Sequence, residues 1–61
     1  MLRTYTIYLL DDQARPRFKP VLARTDADAL REARKLLDAH PECKAIEVHF
    51  GEDILFRIGR S

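Results

Sequence analysis

The stretch TDADALREARKLLDA, from Thr25 to Ala39, decides the fold because it carries the one clear helical period in this 61-residue sequence. Apolar side chains recur along it at i, i+3 and i+4 spacing and share one face, while charged side chains fall opposite. The apolar positions are Ala29, Leu30, Ala33, Leu36 and Leu37. A helix of this length is marginal alone in water, so the pattern predicts a helix that buries its apolar stripe against a sheet.

Both ends of this helix carry boundary signals. Thr25 is a favourable N-cap residue, and Asp28 gives a shortened capping box with Asp in place of the usual Glu or Gln. Asp26 and Asp28 lie in the first turn, where the helix dipole favours carboxylates. Pro41 cannot continue the helix and disfavours the α conformation at His40, so the helix is predicted to end there.

The residues before the helix predict two β-strands. Residues 5–10, YTIYLL, are rich in β-branched and aromatic residues, and residues 17–24, RFKPVLAR, follow after a polar turn. Pro16 and Pro20 have no N–H to donate to a ladder. The second strand is therefore predicted at an edge of the sheet, or with its proline nitrogens facing outward.

The residues after the helix predict a second hairpin. Residues 43–50, CKAIEVHF, alternate in hydrophobicity, and ILFRI follows at residues 54–58. The antiparallel register that keeps the apolar residues together pairs Phe50 with Ile54, Val48 with Phe56, and Ile46 with Ile58. This register leaves a three-residue loop, 51–53, which is an allowed hairpin connection.

The order β-β-α-β-β predicts an α+β fold over residues 1–61, a single domain with antiparallel hairpins in one sheet and a single helix packed on one face. The residues predicted beneath the helix are Tyr5, Ile7, Leu9, Phe18, Leu22, Ile46, Val48, Phe50, Ile54, Phe56 and Ile58. No segment remains to cover the other face. Its predicted residues are Thr6, Tyr8, Leu10, Arg17, Lys19, Val21, Glu47, His49, Leu55 and Arg57. That face is more apolar than a solvated face needs to be.

Composition excludes several classes of protein. Eleven basic and ten acidic residues give a net charge of +1, which supplies no general attraction for nucleic acid. No apolar run approaches the roughly 20 residues of a membrane span, and the first residues lack the pattern of a signal peptide. The single cysteine, Cys43, excludes an internal disulfide and suits a reducing compartment. We expect a cytoplasmic protein without a membrane partner.

The chemistry-bearing residues do not form a recognisable site. The spacing of His40, Cys43 and His49 matches no standard zinc pattern, and Cys43 follows a helix C-terminus, where the dipole disfavours a thiolate. With only Gly51 and Gly59, the sequence has no phosphate-binding loop. The sequence therefore predicts no catalytic residue, no metal and no cofactor, and the protein is not expected to be an enzyme.

The favoured function is a non-catalytic interaction module. A chain of this size buries only roughly 60% of its unfolded surface, so a partner subunit would add stability. The open sheet face or an exposed edge strand is predicted to form a homodimer or to dock another protein. The predicted interface residues are Tyr8, Leu10, Val21 and Leu55.

The alternative function is nucleic-acid binding through the same face. Tyr8 and His49 could stack on bases, while basic side chains contact phosphates. The residues predicted to contact nucleic acid are Arg17, Lys19, His49 and Arg57. Two features weigh against this alternative: the acidic Glu47 lies among these residues, and the net charge of the protein is near zero. Positive charge supplies most of the affinity of proteins for nucleic acid.

Over most of its length the sequence resembles a set of short, uncharacterised bacterial proteins, through motifs that are mostly structural. The resemblance lies in YTIYLLD at residues 5–11, in the helix pattern of residues 25–38, and in Ile46-Glu47-Val48 followed by Gly51. It implies a small bacterial cytoplasmic protein of unknown function.

A weaker resemblance is to the N-terminal domain of HicB-like antitoxins, a small sheet with one helix that binds and masks a toxin. The first hairpin and the helix entry at residues 25–33 are similar. Residues 20–24, PVLAR, stand where that family has a Pro-x-x-Gly-Cys stretch. This resemblance implies an inhibitor that binds a protein partner.

Overall fold

A computed structural model of the chain describes residues 1–11 and 17–60. Four strands and one helix follow in the order β-β-α-β-β, which confirms the predicted α+β fold. The elements are β1 (Arg3–Leu10), β2 (Arg17–Ala23), α1 (Asp26–Ala39), β3 (Ala45–Phe50) and β4 (Asp53–Gly59). The polar turn predicted before β2, together with Pro16, lies outside the described residues except for Asp11.

The helix α1 begins and ends where its sequence signals predict. Thr25 has an extended backbone (φ −136°, ψ 163°), and its hydroxyl accepts a 3.1 Å hydrogen bond from the backbone N–H of Asp28. At the other end, the backbone N–H of His40 donates to the carbonyl of Leu37 at 3.3 Å. Among the described residues, no helix is long and apolar enough to cross a membrane.

The strands form one antiparallel sheet in the order β2-β1-β3-β4. The strands β1 and β3 are central, while β2 lies at an edge, as predicted from Pro20 and its missing N–H. On the central strand β1, Tyr8 lies opposite Phe18 of β2 and opposite Glu47 of β3.

The core lies between α1 and one face of the sheet. Its largest fully buried side chains are Tyr5, Ile7, Cys43, Ile46 and Val48. On the helix, Ala29 and Ala33 have no exposed surface, and these small residues let the helix axis lie close to the strands. At about 1.5–3 kcal/mol for each large apolar side chain, this burial is the main source of stability.

The prediction that Phe18 and Leu22 lie beneath the helix is wrong. Residues directly opposite each other share a sheet face, and Phe18 pairs with Tyr8 while Leu22 pairs with Thr4, both on the uncovered side. Their relative exposures are 64% and 63%. The residues of β2 on the helix side are Arg17, Lys19, Val21 and Ala23. Ala23 is buried, and its small side chain fits where β2 leads into the helix.

The hairpin between β3 and β4 has a two-residue loop rather than the predicted three-residue loop. Phe50 lies opposite Asp53, so the predicted pair of Phe50 with Ile54 is wrong and the loop is Gly51-Glu52. Gly51 has a φ of 61°, the positive value that the first loop position of a type II′ turn requires.

A β-bulge at Leu55 restores the predicted register beyond this loop. Val48 pairs with Phe56 and the next residue, His49, pairs with Ile54, so Leu55 is the extra residue of β4. Two predicted pairs are thereby confirmed, Val48 with Phe56 and Ile46 with Ile58. The bulge also changes which side chains face outward, because Leu55 packs against the core and Ile54 is exposed.

Candidate functional site

The uncovered side of the sheet, which we name the open face, is the candidate functional site. Strand alternation and pairing place on it Thr4, Thr6, Tyr8, Leu10, Phe18, Pro20, Leu22, Ala45, Glu47, His49, Ile54 and Arg57. Two rows cross all four strands: Phe18, Tyr8, Glu47 and Arg57 form one, and Pro20, Thr6, His49 and Ile54 form the other.

The outward residues of β2 form an unbroken apolar column, which we name the β2 column. It consists of Phe18, Pro20 and Leu22, at every second position of the strand, and all three are exposed. Successive members lie about 6.6 Å apart, because a strand rises about 3.3 Å per residue. A polar residue would be usual at each of these outward positions in a solvated antiparallel sheet.

Tyr8 lies in the middle of the open face and connects its two halves. Its ring centroid is 5.8 Å from that of Phe18 and 4.5 Å from that of His49, with tilted rings in both pairs. These distances fall in the range of favourable aromatic contacts. The three rings form a continuous aromatic surface across β2, β1 and β3.

The β3 half of the open face carries a polar cluster of Glu47, His49 and Arg57. One carboxylate oxygen of Glu47 lies 3.2 Å from His49 Nε2, and the other lies 3.6 Å from Arg57 Nη1. The Glu47 and His49 side chains are largely buried within the cluster, at 17% and 19% exposure. Because Glu47 and Arg57 compensate each other, the charged side chains of the described open face have no formal net charge.

Of the four predicted interface residues, two lie on the open face. Tyr8 and Leu10 are there and are half-buried. Val21 pairs with Tyr5 on the helix side, and Leu55 packs against the core because of the bulge. The prediction that Val21 and Leu55 face outward is therefore wrong.

Sequence reasoning missed the most exposed apolar residues of the open face. Phe18, Leu22 and Ile54 were all predicted beneath the helix, and each is about 60% exposed. An available signal was the aromatic pair of Tyr8 and Phe18, since aromatic residues favour cross-strand pairing and that pair fixes the register of the first hairpin.

The residues predicted for nucleic-acid contact are split between the two faces. Arg17 and Lys19 lie on the helix side, opposite Leu9 and Ile7, so their predicted position on the open face is wrong. His49 and Arg57 lie on the open face as predicted, and both contact Glu47. The four side chains do not form one basic surface.

Arg17 has a structural environment of its own. Its Nη2 donates to Asp11 Oδ2 at 3.0 Å and to Glu42 Oε2 at 3.3 Å, and it lies 3.4 Å from Cys43 Sγ. The hydrogen bond to Glu42 raises the pKa of Arg17 above its ordinary value. The pKa of Glu42 is lowered, first by a hydrogen bond from its own backbone and then by Arg17 and His40. These contacts tie β2 to the segment that follows α1.

The residues considered for a metal site do not come together. Cys43 is buried in the core, and His49 lies on the open face. His40 follows the last residue of α1, and its Nδ1 lies 3.4 Å from Glu42 Oε2. In residues 1–11 and 17–60, no three His, Cys, Asp or Glu side chains are placed to hold one ion.

The open face thus combines an apolar column, an aromatic centre and a charge-compensated polar cluster. Such a surface can bury apolar area against another molecule, and its Glu47 carboxylate is already paired with Arg57 and His49 within the chain. In comparisons with known proteins, no protein-family model, curated protein or solved structure matches the chain.

Proposed function

We propose that this protein is a non-catalytic interaction module whose open face binds a second copy of the same chain. The observation that carries the proposal is the exposure of Phe18, Leu22 and Ile54 on a face that no described segment covers. Phe18 and Leu22 lie on the same strand with Pro20 between them, and contiguous exposed apolar patches on soluble proteins often mark a binding site.

The charge of the open face favours a second copy over a charged partner. A face with net charge would repel its own copy, whereas Glu47 and Arg57 neutralise each other at 3.6 Å. Two such faces can approach without like-charge repulsion, and a self-complementary patch is what a two-fold dimer requires.

The sheet edges are poorly suited to the same role. At one edge, Pro20 interrupts β2 with a residue that has no N–H. At the other, the bulge at Leu55 disrupts the regular ladder of β4. Edge prolines and bulges are devices that hinder the addition of a further strand, so side chains of the face, rather than backbone of the edge, supply the contact.

The available area sets the strength of the association. Four strands about 4.8 Å apart and about seven residues long give a flat face of roughly 450 Å². Standard protein interfaces bury about 600–1,000 Å² from each partner, so this dimer falls below that range, among weak and transient associations. We expect a concentration-dependent equilibrium between monomer and dimer.

Nucleic-acid binding, the alternative, has less support. Arg17 is held by Asp11 and Glu42, and Lys19 lies on the other side of the sheet. That leaves Arg57 and His49 beside Glu47 on the described open face, too little positive charge for the phosphate contacts on which such affinity depends.

The proposal is tested by introducing the same charge on either side of β2. Phe18→Glu places a carboxylate in the apolar patch, while Lys19→Glu places one at the neighbouring exposed position on the other side of the sheet. Sedimentation velocity over a concentration series should show a dimer for the unmodified protein and for Lys19→Glu. Phe18→Glu should stay monomeric. Equal association of both variants would refute the proposal, as would a monomer at every concentration of the unmodified protein.

A further inference from the structure

We propose that His49 makes self-association through the open face depend on pH, with association favoured while His49 is neutral and weakened when it is protonated. This inference rests on the proposed function and adds its regulation. It requires only that two open faces meet over their middle, because His49 lies on β3, one of the two central strands. No particular axis between the two copies is needed.

His49 has few charged neighbours, and they come from different strands. Its side chain is only 19% exposed, and its direct partners across the sheet, Thr6 and Ile54, cannot ionise. The titratable and charged groups around it in the described chain are Tyr8 of β1, with ring centroids 4.5 Å apart, Glu47 of β3, 3.2 Å from its Nε2, and Arg57 of β4, which lies 3.6 Å from Glu47.

These groups fix the net charge of the described open face. While His49 is neutral, the Glu47 carboxylate and the Arg57 guanidinium cancel each other. Histidine is the side chain that ordinarily changes its charge between about pH 5 and 8, and protonation of His49 adds one positive charge. Because Arg57 already compensates Glu47, no further acidic group of this face in the described chain balances that charge. The open face therefore changes from neutral to singly positive as the pH falls.

This change of charge opposes the contact between two copies. Two positive faces repel each other, and removing an uncompensated charge from water costs further free energy. Packed sheets lie about 10 Å apart, where two unit charges near a protein surface interact strongly enough to change an equilibrium constant about tenfold. We expect the dissociation constant of the dimer to rise about tenfold between about pH 7.5 and about pH 5.5.

Sedimentation velocity over a concentration series at these two pH values measures the change. His49→Gln keeps an amide that can donate to Glu47 but takes up no proton, so its dissociation constant should be the same at both pH values. His40→Gln is the matched control. His40 is the other of the two histidines and contacts Glu42 beyond the end of α1, so this variant should respond to pH as the unmodified protein does.

Arg57→Gln tests the charge balance directly. The Arg57 side chain is 69% exposed, so its replacement leaves the core intact. Without the guanidinium, the open face carries one negative charge while His49 is neutral and none when His49 is protonated. The pH response should therefore reverse, with tighter association at about pH 5.5 than at about pH 7.5.

A dissociation constant that is equal at both pH values in the unmodified protein would overturn the inference and leave the proposed function standing. A pH response that persists in His49→Gln would do the same. If His49→Gln does not associate at either pH, Arg57→Gln provides the test, and a response with the same sign as in the unmodified protein overturns the inference. A monomer at every concentration and both pH values would overturn the inference and the proposed function together.

Discussion

Arg60, close to the end of the chain, stabilises the C-terminus of α1. Its guanidinium donates to the backbone carbonyls of Leu37, His40 and Cys43, the last two at 3.0 Å. The last turn of α1 contains no basic residue of its own, so this distant side chain supplies the positive charge that the negative end of the helix dipole favours.

We therefore expect Arg60→Ala to lower the free energy of unfolding by about 1–2 kcal/mol, since its charge-assisted hydrogen bonds to carbonyls at and just after the helix C-terminus are lost. Urea unfolding followed by circular dichroism measures the change. Arg34→Ala is the matched control, because Arg34 is an exposed arginine on the surface of α1. Equal losses for the two variants would show that the carbonyl contacts of Arg60 contribute nothing specific.

Tyr5 links the sheet to the start of the helix. Its side chain is buried, and its hydroxyl donates to Asp26 Oδ1 at 2.7 Å. This hydrogen bond and, after it, burial raise the pKa of Tyr5 above its ordinary value. A group whose pKa is raised by folding contributes stability that is fully present below its unfolded pKa, about 10 for tyrosine, and is lost as the pH rises through its folded pKa.

The free energy of unfolding should accordingly fall as the pH rises above about 10. Tyr5→Phe should be less stable at neutral pH and should lose stability less steeply in this alkaline range. Urea titrations at pH values from 8 to 11 test both effects. Tyr8→Phe, on the open face, is the control and should retain the steep alkaline loss. The account of Tyr5 fails if Tyr5→Phe and the unmodified protein have parallel pH profiles.

The turn between β3 and β4 requires glycine at position 51 because of its backbone conformation, and not because a larger side chain would clash. Nothing lies within 4 Å of a Cβ added at either Gly51 or Gly59, but Gly51 has a φ of 61°. We expect Gly51→Ala to destabilise the protein by about 1–2 kcal/mol, because a residue with a Cβ is strained in this region. Thermal unfolding of Gly59→Ala, which should change little, isolates the effect. Similar midpoints for both variants would contradict the assigned turn.

Much of the fold follows from local signals in the sequence. The Thr25 cap and the residues around Pro41 set the ends of α1, and Pro20 places β2 at an edge. These predictions succeed because each depends on the physical chemistry of one residue: a hydroxyl that accepts a backbone hydrogen bond, or an imide without an N–H.

The faces of β2 could not be assigned from alternation alone. Phe18 and Leu22 lie on one side and Val21 and Ala23 on the other, so both sides of the strand read as apolar. Choosing the larger pair for the core was wrong, because pairing with β1 decides the face and the smaller Val21 and Ala23 fit beneath the helix. The candidate site was misassigned at the same residues.

The bulge at Leu55 could not be predicted from the sequence, for a different reason. A three-residue loop without a bulge and a two-residue loop with a bulge both leave Val48 opposite Phe56. From Val48 and Phe56 onward, both loops give the same strand pairs and the same alternation of apolar residues. The sequence pattern therefore cannot distinguish the two loops. The bulge changes the position of two side chains: Leu55 packs against the core, and Ile54 is exposed.

The two faces of the four-stranded sheet are unlike in the part of the chain that the structure describes. The helix covers one face, while the other exposes the β2 column and the aromatic centre around Tyr8. The corrected positions make this second face more apolar than the sequence predicts, because Phe18 and Leu22 replace Arg17 and Lys19 on it. The change strengthens the case for self-association and weakens the case for nucleic acid.

The most direct test is the solution mass of the unmodified protein, measured by light scattering over a concentration series at low and high salt, together with the 260 to 280 nm absorbance ratio. We expect a mass that rises from the 7.1 kDa of the monomer towards twice that value. High salt should maintain or strengthen the rise, because the contact is apolar. A constant monomer mass would show that the open face does not bind a second copy, and excess 260 nm absorbance that salt removes would favour nucleic-acid binding instead.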